Sequence, residues 1–172
     1  MLYKVVEKFG PSSKESWNNY IKWRKLELSS FDSADAIMRP SVFEPSSVED
    51  WDNCINEDYK LNFITNLEYA KKIQKKYPNS EIIALDIELE TEPDTKEGFL
   101  GYDIIDSYYD ISLLSNWGVE DIEFINSKLE KNALIADFKT AVELRDYLRL
   151  NYSEDSHADE CSIWAIYEVL LQ

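Results

Sequence analysis

The stretch from Cys161 to Leu170 constrains this chain most, because both of its parities are apolar. Cys161, Ile163, Ala165, Tyr167 and Val169 occupy one, and Trp164, Ile166 and Leu170 the other. A strand with a wet face would alternate, so this segment reads as a buried strand. Hiding it requires a sheet with other elements packed against it. At 172 residues the chain has room for one, since a domain of this size buries roughly 70% of its unfolded surface. Its 44% hydrophobic and 13% aromatic content is far from the aromatic-poor composition that keeps acidic chains disordered.

Further strands are visible by their period. Leu2 to Phe9 reads as a first strand closed by Gly10 and Pro11. From 81 to 90, Ile83, Leu85, Ile87 and Leu89 alternate with Ala84, Asp86, Glu88 and Glu90, the pattern of a strand with one buried face. Leu100, Tyr102 and Ile104 repeat it over 99 to 106. The polar stretch Thr91 to Gly98, with Pro93 inside it, suits a hairpin connection between the two. With Glu90 facing Phe99, Asp86 lies opposite Asp103, and like charges directly across a ladder repel.

Helices are marked by capping residues followed by apolar side chains at helical spacing. Ser12 and Glu15 precede Trp17, Tyr20, Ile21 and Leu28, which predicts an amphipathic, basic helix over 13–28. Residues 29–45 read as a loop. Ser46 and Glu49 introduce a short helix with Trp51 and Ile55, and Thr65 and Glu68 one that runs to about Tyr77. The Lys71, Lys72, Lys75, Lys76 run on the latter reads as a solvated face. Val119 to Phe124 is a weaker helix, and Asp137 to Leu150 a strong one. The fold class expected is a single α+β domain over 1–172, an antiparallel or mixed sheet centred on 81–90, 99–106 and 161–170, with helices mainly on one face.

Charge narrows the partners. Asp and Glu number 34 against 18 Lys and Arg, a net −16. Between Glu81 and Asp110 stand ten carboxylates and one cation, Lys96, for a net of −9. Residues 1–30 carry six cations against three acids, so the chain is polar in charge along its length. A field of that sign repels nucleic acid and anionic lipid and steers in basic proteins. No apolar run approaches the roughly 20 residues that cross a bilayer, and Lys4, Glu7 and Lys8 interrupt the N-terminal apolar residues where a signal peptide would be continuous. Cys54 and Cys161 are too few for a disulfide framework and fit reduced thiols, so a cytoplasmic location is expected.

The candidate site residues follow from that density. Asp86, Glu88, Glu90 and Asp103 would share the outward face of the 81–106 hairpin, as a binding surface or a solvated sheet face. Asp106 and Asp110 extend the acidic stretch, and Tyr108, Tyr109 and Trp117 beside it fit aromatic anchors within a charged rim, or core residues. Asp103, Asp106 and Asp110 offer oxygen ligands for a divalent cation, although their spacing matches no calcium loop. His157, the one histidine, sits between Asp155 and Asp159 and could join Asp103 and Asp106 in a small enzyme or metal site, or pair with a thiol. There is no phosphate-binding glycine loop and no nucleophile elbow, and no cofactor is expected.

The segments LGYDIID (100–106) and SLLSNWG (112–118) resemble stretches of small acidic bacterial immunity-like proteins. So does the ending, from NALI (132–135) through HADECSIWAI (157–166), and the resemblance spans about the last 90 residues. It implies a cytoplasmic protein that binds and blocks a toxic protein domain, often a nuclease. A non-enzymatic inhibitor of a basic toxin domain is therefore the expected function. An Asp/His enzyme or metal protein and a nucleic-acid mimic that binds a DNA-binding protein are the competing readings.

Overall fold

A computed structural model describes residues 1–8, 41–55, 63–94, 96–108, 111–115, 121–130 and 133–170. Four strands, β1 (Leu2–Glu7), β2 (Ser80–Asp86), β3 (Phe99–Ile105) and β4 (Ser162–Glu168), form one open antiparallel sheet in the order β1-β2-β4-β3. Among the described residues, helices α1 (Val48–Asp52), α2 (Leu67–Lys76), α3 (Ile122–Asn126) and α4 (Phe138–Asn151) join the sheet in an α+β architecture. The helix expected over 13–28 lies outside the described residues.

The strand order corrects the expected hairpin. β4 inserts between β2 and β3 and is antiparallel to both, so those two run parallel and residues 87–98 are a crossover between them. Asp86 pairs with Ala165, and Asp103 with Trp164. Cross-strand rows then sort the faces. Asp86, Ala165 and Tyr102 share one face, whereas Asp103, Trp164 and Ile105 share the other. Asp86 and Asp103 thus never meet.

Among the described residues, the two helices with substantial sheet contact lie on the Asp86 face, as the reading of helices mainly on one face requires. α2 covers Val5 and Ile82 through Tyr69, Ala70 and Ile73, while α4 covers Tyr102, Ile104 and Ile163 through Ala141, Leu144 and Leu148. The opposite face is also buried. Val6, Ile83, Leu85, Trp164, Ile166 and Ile105 form its core with Phe63 and Leu134, and the Phe63 and Trp164 rings meet edge to face at 5.9 Å. β2 is therefore buried on two faces, because it is an inner strand rather than half of an exposed hairpin.

Local chemistry explains the boundaries. Ser47 caps α1 in a reciprocal box with Asp50, one position later than the expected Ser46, because Ser47 alone has its hydroxyl within reach of the Asp50 amide. Asn66, not Thr65, caps α2, accepting from the Glu68 and Tyr69 amides. Asp137 caps α4 through the Thr140 amide at 2.9 Å. Asp50 also takes the Tyr69 hydroxyl, which ties α1 to α2; that bond and the Ser46 amide hold its carboxyl well below the usual range. Both sheet edges are covered by single bridges, Ile64 and Ser41 against β1, Ile135 and Ser112 against β3, so neither edge is an open template.

Two glycines shape β3. Gly101, at φ 147, follows a bulge and lets Tyr102 exchange hydrogen bonds with Ile135 at 2.8 and 2.9 Å. Gly98, at φ 84, ends the crossover where its carbonyl accepts from the Glu168 amide at 2.8 Å. A Cβ there would lie 2.2 Å from the Glu168 carbonyl oxygen. Gly98→Ala should therefore cost about 2–4 kcal/mol, from left-handed strain plus backbone overpacking, read as a shifted midpoint in chemical denaturation. A midpoint unchanged within error would mean that the crossover does not rest on β4 there.

Candidate functional site

The crossover from Ile87 to Gly98 carries the exposed acid. It leaves β2 through Glu88, held at φ 55, which turns the chain so that the Leu89 amide bonds the Ile163 carbonyl at 2.8 Å. It then returns over the helix-bearing face. Leu89 and Phe99 pack on the core beneath it, and Glu90 reaches Arg145 of α4 at 3.8 Å. Glu88, Glu90, Glu92, Asp94 and Glu97 are all exposed along this path, as is Lys96. Apart from the Glu90 contact, none of these carboxylates has an ion pair among the described residues.

Of the residues singled out in the sequence, Glu88 and Glu90 lie on this connection, and Asp86 is half-buried at its start. Asp103 and Asp106 are fully buried and leave the proposed surface. Asp103 Oδ1 accepts from the Ser112 hydroxyl at 2.6 Å and from the Ile104 amide at 2.8 Å. The same hydroxyl accepts the Leu114 and Ser115 amides, so the carboxylate pins the 112–115 turn against β3. The Ser112 and Ile104 bonds both fall on Oδ1, and they offset part of the cost of burying a carboxylate on the face it shares with Ile105 and Trp164. Tyr108 is exposed at the surface; Tyr109, Asp110 and Trp117 lie outside the described residues.

Asp106 meets His157 across 51 positions of sequence. His157 Nδ1 lies 2.8 Å from Asp106 Oδ2, and Oδ1 accepts the Ile111 amide at 3.1 Å. An ionised carboxylate only accepts, so Nδ1 carries the shared proton and Nε2 is left for another partner. The imidazole is 45% exposed and stands edge-on to Tyr108 at 5.4 Å. The Ser107 hydroxyl donates to the Ser156 carbonyl at 2.7 Å and closes the same seam.

Asp103 is engaged by the Ser112 hydroxyl and the Ile104 amide, and Asp106 by His157 and the Ile111 amide. Among the described residues no three His, Cys, Asp or Glu side chains gather as metal ligands. The thiols are equally unsuited to a Cys–His pair. Cys54 and Cys161 are buried and free, and burial pushes each up to about 11, so both stay protonated at neutral pH. The Arg149 guanidinium, donating to the Cys161 carbonyl at 2.9 Å, does not reverse this.

Two features were not legible beforehand. One is Asp121, which accepts the Tyr147 and Tyr152 hydroxyls at 2.6 Å each; these hold its carboxyl below the ordinary range. The other is a cavity of about 200 Å³ between α2 and the crossover, floored by Ala84. In the lysine run of α2, Lys71 pairs with Glu68 at 2.8 Å and Lys72 with Glu49, a solvent-facing arrangement as expected.

No protein-family description, curated protein or solved structure matches this chain. Among the described residues no helix is long and apolar enough to cross a membrane.

Asp106→Ala strands the Ile111 amide and releases His157, and should cost about 2–3 kcal/mol in equilibrium unfolding; a loss under 0.5 kcal/mol would show the seam to be slack. A thiol-specific disulfide reagent at mildly alkaline pH should label neither cysteine within minutes in the native protein and both after denaturation. Prompt native labelling of Cys161 would restore a thiol mechanism.

Proposed function

We propose that this chain is a non-enzymatic acidic binding protein that occludes the surface of a basic protein, in the manner implied by its resemblance to immunity-like proteins. A toxin domain that binds phosphate, such as a nuclease, is the partner that this charge suits, because it must present cations of its own. The observation that carries the reading is the crossover: Glu88, Glu92, Asp94 and Glu97 are exposed and without ion pairs among the described residues, beside the single cation Lys96. Like charges held on one connection repel each other, and a cationic surface relieves that repulsion on binding. The interface is thereby moved from the hairpin face to the crossover, keeping Glu88 and Glu90 and losing Asp103 and Asp106.

An enzymatic reading has one observation in its favour, the orientation of His157 by buried Asp106. That arrangement supplies a base, and a reaction would need an acceptor group and a substrate cleft beside it. Neither cysteine provides the nucleophile. Loss of function on His157→Gln with an unchanged fold would favour this reading over the first.

The acidic reading is tested with the products of adjacent genes. A basic protein should co-purify at low ionic strength and associate at a rate that falls steeply with salt. The combined variant Glu88→Gln, Glu92→Gln, Asp94→Asn and Glu97→Gln should slow association about tenfold while the melting temperature holds or rises. An unaltered on-rate would place the interface elsewhere on the molecule.

A further inference from the structure

The seam between Asp106 and His157 leaves one polar atom over. His157 Nδ1 is taken by Asp106 Oδ2 at 2.8 Å, and among the described residues nothing bonds Nε2. The imidazole is 45% exposed, and Tyr108, 36% exposed, stands against it with the two ring planes at 71°. The imidazole is held in place from several sides. Asp106 is fully buried and accepts the Ile111 amide, the Ser107 hydroxyl bonds the Ser156 carbonyl at 2.7 Å, and Asp155 Oδ1 accepts the His157 amide at 2.9 Å. A fixed ring beside an exposed tyrosine has the composition of an interface anchor, because little freedom is left to lose on binding.

Chemistry selects the occupant. A neutral imidazole that donates through Nδ1 only accepts at Nε2, so its partner there must be a donor. The turn around it is anionic. Glu154, Asp155, Asp159 and Glu160 fall between Asn151 and Cys161 with no lysine or arginine among them, and none of the four has an ion pair among the described residues. Arg149 approaches this turn, with its guanidinium engaged by the Cys161 carbonyl. A donor that is also cationic, and flat enough to lie on the Tyr108 ring, is a second guanidinium. We infer that the Tyr108–His157 pair seats an arginine side chain of the basic partner. This rests on the acidic reading above and adds to it a recognised side chain.

Topology places the seat beside the crossover. Ile105 pairs with Ser162 and the Leu89 amide bonds the Ile163 carbonyl, so β3 ends and the crossover begins on either side of the same end of β4. Two strand spacings, roughly 10 Å, separate them. One basic surface can therefore touch exposed Glu88 and the ring pair together.

The single histidine makes the test direct, because its ring gives one set of magnetic resonance signals. In isotope-labelled full-length protein at pH 8, the ring should carry its proton on Nδ1 and none on Nε2. The probes are acetylated, amidated Gly-Arg-Gly-Arg-Gly, its lysine counterpart and its citrulline counterpart, titrated at low salt. The arginine peptide should bind about fivefold more tightly than the lysine peptide and about tenfold more tightly than the citrulline peptide, and should shift the His157 ring and Tyr108 amide signals. Tyr108→Leu, at an exposed position that does not threaten folding, should abolish the preference for arginine over lysine.

Equal binding of the arginine and lysine peptides, with shifts confined to Glu88–Glu97, would overturn the arginine seat and leave the acidic surface standing. A proton on Nε2 at pH 8, or an arginine preference that survives Tyr108→Leu, would overturn the seat as well. Citrulline binding as tight as arginine would overturn the assignment of a cationic occupant. Absence of binding by either cationic peptide at low salt would overturn the acidic reading and this inference together.

Discussion

The placement of β4 between β2 and β3 governs the rest of the molecule. A strand whose two parities are both apolar has no acceptable position at an edge or on a wet face, so it takes a central position and pairs on both sides. Its residues from Ile163 to Tyr167 are almost entirely withdrawn from water. With β4 there, the face bearing Ala165 and Tyr167 requires helices, and the face bearing Trp164 and Ile166 requires Phe63 and Leu134. The two-sided core follows from one insertion.

The same insertion decides where the acid is displayed. Because β2 and β3 are parallel neighbours of β4, the chain between them has to travel the length of the sheet instead of turning back in a hairpin. That path crosses the helix-bearing face, is anchored at Leu89 and Gly98 by hydrogen bonds to β4, and has no apolar side chains to spare for its outer surface. Its carboxylates are consequently exposed, and Asp103 within β3 and Asp106 just after it are not. Topology has separated one run of acidic sequence into a solvent-facing group and a buried, hydrogen-bonded group.

Asp103 and Asp106 show why identity alone did not reveal that division. In sequence they are indistinguishable from Glu88 or Glu92, being carboxylates within an acidic segment. What separates them is the arrival of Ser112, the Ile111 amide and His157, groups lying 5 to 51 positions away. The pairing of Asp106 with His157 lay within the set of residues that the sequence made suspicious, since the one histidine and a nearby acidic run suggest chemistry. Its geometry, a carboxylate that orients an imidazole and closes a seam, depends on residues 106–107 and 156–157 being brought side by side.

Local order was set by the sequence alone: the presence of strands at β2, β3 and β4, the α4 cap at Asp137, the α2 boundary near Tyr77, and the net charge, because each depends on neighbours within one or two turns or on composition; the one-faced period read over 81–90 was not, since β2 ends at Asp86 and is buried on both faces. Only the tertiary structure decided which strands are adjacent, that the Thr91–Gly98 connection is a crossover, and that Ala84 floors a cavity between Tyr3 and Tyr167. The physical reason is that strand neighbours and side-chain voids are properties of pairs of distant segments. Period-2 patterning states that a strand has a buried face without stating what lies across it.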